Sequence, residues 1–430
     1  MSASKLSEAY LGYCEASKIA HKASLLADNQ ATRYYAEAFK IFFLVLFHPL
    51  HQLPEFELER WVGKGGSNLR AGIDQYDFDS MHKGFKSLSL PADPFMFGTC
   101  STGLLHFYGD IEAAKAGWRK QNRAWRKVAE LVQGAEYKWS DYFFEGFLGG
   151  YTSVGDMLMI GEMDLLREHF KLTPAGLSLE DPLISKEWAG HLRQSPLMYQ
   201  GEDGYCFCRM ESILLVDRAL GVLVEETALD ADALRSWLPS PSELISIAVH
   251  EFQFTIFHAA LHPAILCSKL YMRLGAWEDA AAVARGLLDI APLGDGKGFG
   301  WPVMHRVEAW RLLGRCCGAR GDSDGASQAF ESAAREAHSV GYVFLEMMAL
   351  KDMLLWVSGG GSREASCAST MLPGAIQGEG EGDVTTSLQA RIDKLLASNL
   401  HASARTYQIS KYDAVSVRVF VQTKSSDFGE

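Results

Sequence analysis

Apolar positions recur at helical spacing most plainly between Glu308 and His338. Trp310, Leu313, Gly314 and Cys317 mark one stripe; Gly321 and Asp322 break the chain; Ala326, Phe330, Ala333 and Ala337 mark a second. Such spacing predicts two short helices folded back on each other, since neither stripe can be buried without the other. Small residues at Gly314 and Ala326 predict a close approach of the two backbones. A third helix is expected over 342–357, with Phe344, Met347, Met348, Leu350, Leu354 and Leu355 apolar. A fourth is expected over 387–400, with Leu388, Ile392, Leu395 and Leu396 on one face.

Upstream, helical spacing runs over residues 4–47 and 98–133, and again through 209–238 and from Ser242 onward. Gly109–Asp110 breaks the chain before an Ala-rich helix, as Gly321–Asp322 does later. Residues 137–210 are aromatic- and Met-rich, punctuated by Gly and Pro, and read as ordinary core or as the wall of a ligand pocket. Residues 358–386 are Gly, Ser and acid rich, which predicts a flexible solvated insertion. The tail alternates Val415, Val417, Val419 and Val421 with Ser416, Arg418, Phe420 and Gln422, a strand period.

The 308–338 stretch resembles a tetratricopeptide repeat. Trp310, Leu313, Gly314, Ala326 and Phe330 fall in register with that pattern, while Cys317 stands for its Tyr and His338 for its Pro. A second unit matches at Tyr271, Gly275, Ala280 and Pro292. Its loop glycine precedes Gly321 by 46 positions, against a period of about 34. The excess is assigned to an insertion, LGDGKGFGWPVMH. The resemblance implies an all-α fold, a right-handed α-α superhelix. Residues 1–240 would be an irregular helical region and 241–357 the repeats. The insertion 358–386 would follow, then a terminal helix and short strand over 387–430.

Composition narrows the class. The chain has 430 residues, 48% hydrophobic and 22% charged, the balance of a folded protein with a large core. Its net charge of -12 disfavours nucleic acid and anionic membranes as partners. Eight scattered cysteines form no disulfide framework and suggest reduced thiols in the cytoplasm or nucleus. The first residues lack the basic start and apolar core of a secretory signal. The most apolar run, Ile41–Phe47, is far short of the roughly 20 residues that span a bilayer.

Candidate chemistry is thin. The glycines of WVGKGGSNLRAG and of LGDGKGFG lack the Gly-Lys-Ser/Thr ending of a phosphate loop. His250–Glu251 begins like a zinc-protease motif, but position 254 is Phe. His258 and His262 are one turn apart without a third ligand, and Asp74, Asp77 and Asp79 lack the remaining calcium-loop positions. Cys206 and Cys208 have no second pair at zinc spacing. No catalytic set, metal site or cofactor is expected. Around Trp118 and Trp125 lie Arg119, Lys120, Arg123, Arg126 and Lys127, which read as a solvated face over inward-packed tryptophans or as a stripe for an acidic partner or nucleic acid. The solvated face is the favoured reading.

In the repeat family, leading helices of successive units line a concave groove that binds peptides. Carried onto the matched units, groove positions are His262, Lys269 and Arg273 from the first and Arg311 and Arg315 from the second. Clustered cations there would take an acidic peptide segment or a free C-terminal carboxylate. The alternative is that they pair with Glu308 and other local acids. The expected function is therefore an adaptor or scaffold for another protein. The alternative is an enzyme or small-ligand binder with its pocket in 137–210.

Overall fold

The fold comes from a computed structural model. It describes residue 101 and residues 103–132, 198–200, 206–208, 238–246, 261–290, 300–358 and 384–405, with isolated positions Glu15, Ile19, Lys22, Arg70, Met157, Ile160, Glu162 and Leu165. The helices are α1 (Ile111–Val132), α2 (Leu261–Arg273), α3 (Trp277–Asp289), α4 (Gly300–Ala319), α5 (Ser323–Ser339), α6 (Val343–Ser358), α7 (Val384–Ser398) and α8 (Ala402–Arg405). Between α1 and α2 lies one short antiparallel pair, β1 (Met198–Gln200) with β2 (Cys206–Cys208), in register Met198 to Cys208 and Gln200 to Cys206. The described chain is thus mostly helical. The expected C-terminal strand, residues 359–383 of the expected insertion 358–386 and most of 137–210 lie outside the described residues, while Ser358 and 384–386 are helical.

The chain divides into two units, residues 1–182 with 292–301 and residues 183–291 with 302–430. In the first, a helical segment over 103–108 is followed by Gly109 at φ 63° and then α1. Asp110 caps α1: its carboxylate accepts from the Ala113 backbone N–H at 3.2 Å and pairs with Arg70. Leu104, Leu105, Phe107, Ala114 and Trp118 form the local core.

The second unit is built on one turn used three times. Gly275, Gly321 and Gly341 have φ of 71°, 78° and 74°, which a residue with a Cβ adopts only at a cost. In each, the glycine N–H reaches back three residues, to Met272, Gly318 and His338, each at 3.1 Å. The next N–H reaches back five, to Tyr271, Cys317 and Ala337, each at 2.9 Å. This double bond pattern is a Schellman cap. It satisfies the end of one helix, and the next begins two residues after the glycine. The turn after residue 108 differs, with Asp110 N–H bonding the Leu104 carbonyl at 3.3 Å.

Small side chains set the spacing between helices. α3 buries Ala280, Ala281, Val283, Ala284 and Leu287, and Ser268 of α2 donates to the Ala280 carbonyl at 3.0 Å. α5 starts at Asp322, whose carboxylate accepts from Gly325 N–H at 2.9 Å, and buries Ala326, Ala329, Phe330, Ala333, Ala334 and Ala337. α6 is buried almost all round, from Phe344 to Met353, as a helix apolar on every face must be. α7 places Leu388, Ile392 and Leu395 inward, while Thr386, Gln389, Asp393 and Lys394 stay exposed. The supposed insertion is in part a correction: Trp301–His305 belongs to the twenty-residue α4, with Val303, Met304 and His305 buried, so the extra length partly extends a helix.

Candidate functional site

The leading helices α2 and α4 hold the expected partner-binding cations, and both are enclosed. Every α2 residue whose side chain is described is buried. On α4 the described residues from Val303 to Gly318 are buried, except Arg306, Glu308 and Trp310, which are half-buried. An open groove lined by these helices requires the opposite.

Arg311 and Arg315 are one turn apart on α4, only 1% and 2% exposed. Asp352 of α6, 2% exposed, takes both: its Oδ2 accepts from Arg311 Nε at 2.7 Å and its Oδ1 from Arg315 Nη2 at 2.8 Å. Arg311 Nη1 also reaches Glu308 Oε1 at 2.5 Å. The expectation that Arg311 and Arg315 face a partner is therefore corrected. A charge stays inside only when its partner is inside, and here that partner is the chain's own carboxylate. Lys269 is likewise buried, at 8% exposure. His262 and Arg273 lie on α2, and their side chains are outside the described ones. Of the proposed set, the structure brings Arg311 and Arg315 together, at an internal ion cluster.

Two further clusters tie the same helices. Glu346 of α6, 1% exposed, accepts from Arg391 of α7 at 2.6 Å and meets the His338 ring of α5 at 2.9 Å. Glu336 of α5 accepts from Arg306 at 2.7 and 3.2 Å and from the Trp310 indole at 3.0 Å. Arg306 also donates to the Leu288 carbonyl at 2.8 Å, placing a cation on the otherwise open C-terminal end of α3. The sequence does not mark these acids, because their arginine partners lie 30 and 45 residues away.

Among the described residues, Cys316, Cys317 and Tyr271 are buried groups whose protons are held. Burial, with Cys317 beside it, pushes the Cys316 thiol up to about 12, and burial followed by Asp322 raises Cys317. Both therefore stay protonated at neutral pH. Burial also raises the Tyr271 hydroxyl, which donates to the Pro239 carbonyl at 2.5 Å. Among the described residues there is no group of three or more His, Cys, Asp or Glu able to hold a metal, and no helix long and apolar enough to cross a membrane. His250, Glu251 and His258 lie outside the described residues. No protein-family model, curated protein or solved structure matches the chain.

Proposed function

We propose that the second unit is a tetratricopeptide-like stack of helical hairpins, wound as a right-handed superhelix, and that the protein acts as an adaptor or scaffold for another protein. The observation that carries this reading is the recurrence of one Schellman-capped glycine turn at Gly275, Gly321 and Gly341. Repeated turns of this kind generate stacked helices whose product is surface rather than a reactive pocket. Inert thiols and internally neutralised arginines fit that role.

The partner surface in this reading is the outward side of the second helices. Arg285 on α3 and Arg335 on α5 are exposed. An acidic peptide would be held by such exposed cations and not by Arg311 or Arg315. The test is affinity capture with the full chain against an Arg285→Glu, Arg335→Glu variant whose melting temperature is unchanged. The expected result is a defined partner set lost from the variant. Retention of no protein above an unrelated helical control, together with a saturable small-molecule thermal shift, would overturn the proposal.

A further inference from the structure

We propose that the outward edge of α1 is a docking stripe for an acidic segment of a partner protein. Ile111, Ala114, Trp118 and Gln121 recur at helical spacing and are buried, which fixes one face of α1 inward. Arg119 and Arg123 lie off that face, both exposed, one turn apart. Like charges at this spacing repel.

Two described cations of the same unit are paired with acids. Arg70 is tied to Asp110, and Lys115 to Glu112 and Glu162. Among the described residues, neither Arg119 nor Arg123 has a carboxylate partner. Arg123 Nε instead donates to the Arg119 carbonyl at 3.3 Å. Residues 119–127 read RKQNRAWRK, with no acid, in a chain of 53 acidic and 41 basic residues. Arg126 continues the same helical register.

Arg119 and Arg123 therefore present guanidinium donors that no described carboxylate takes up, a match for carboxylates in paired hydrogen bonds. From position 119 to 126 a helix rises about 10 Å, the span of roughly three extended residues. A short acidic segment suits that length. A nucleic acid strand would extend its charge well beyond it, over a chain whose net charge is -12. The inference rests on α1 alone and stands or falls separately from the hairpin stack.

The test is fluorescence anisotropy on the full chain with a labelled Glu/Ser peptide, its Gln/Ser counterpart and a labelled single-stranded DNA. Wild type is compared with Arg119→Gln, Arg123→Gln and with Arg119→Lys, Arg123→Lys. The expected result is binding of the Glu peptide alone, weakened by salt, about tenfold or more weaker in the Gln pair and partly retained in the Lys pair. No binding by wild type, equal binding by the Gln pair, or tighter arginine-dependent binding of the DNA would each overturn it.

Discussion

The ring of Phe330 packs so closely on Gly314 that a Cβ at position 314 would stand 2.6 Å from its Cε1. This contact sets the separation of α4 and α5. In an open helix, Gly→Ala gains about 1 kcal/mol in propensity, but overpacking costs about 1–3 kcal/mol. Gly314→Ala should therefore lower the denaturant midpoint, and Phe330→Leu in the same chain should recover part of the loss. A midpoint raised by Gly314→Ala would show that the ring has room to move.

Asp352 accepts from both Arg311 and Arg315, and Glu308 also pairs with Arg311. Asp352→Leu leaves two buried guanidinium groups short of a counter-charge and should destabilise by about 3–5 kcal/mol. Replacing all three with apolar residues, Arg311→Met, Arg315→Met and Asp352→Leu, should cost less than the single change. Urea unfolding of the three proteins separates these outcomes. A loss below about 1 kcal/mol for Asp352→Leu would mean that water reaches the cluster.

Gly275 and Gly321 have open space where a Cβ would go. Alanine there meets only the backbone cost of a left-handed conformation, about 1–2 kcal/mol. Gly321→Asn should cost less than Gly321→Ala, because Asn tolerates this region. The ranking Gly, Asn, Ala in melting temperature is the check.

Burial pushes the Glu331 carboxyl above its usual range, and Arg335 only partly offsets this. The folded state therefore holds this proton to higher pH than the unfolded state. Stability from this group is complete below the ordinary carboxylate range near 4.5 and falls as pH rises through the raised value. Glu331→Gln should accordingly stabilise the protein at neutral pH and change little below about pH 4.5. Melting temperatures at the two pH values decide it.

What was legible in the sequence was local. Gly109–Asp110 and Gly321–Asp322 stand out because a left-handed glycine followed by a capping Asp is chemistry within three or four residues. Spacing placed α6 to within one residue at each end for the same reason, whereas α7 begins at Val384, inside the expected insertion 358–386. The surroundings of α4 were not legible. Its apolar stripe is Trp310, Leu313, Gly314 and Cys317, yet Arg311 and Arg315 are more buried than Trp310. Periodicity detects one apolar face. It does not detect a helix enclosed on several sides, with charges drawn inward by a carboxylate 37 and 41 residues further on. Small residues suggest Gly314 against Ala326, whereas the gap at Gly314 is filled by Phe330.

The ionic ties of the second unit among the described residues all close within 45 positions of sequence. Short loops of chain are quick to close. As the polypeptide leaves the ribosome, α4 can therefore gather its partners in order of synthesis, Glu336 before Asp352. Arg391 is the last of these residues to be made, so a chain stalled ahead of α7 would lack its tie to Glu346.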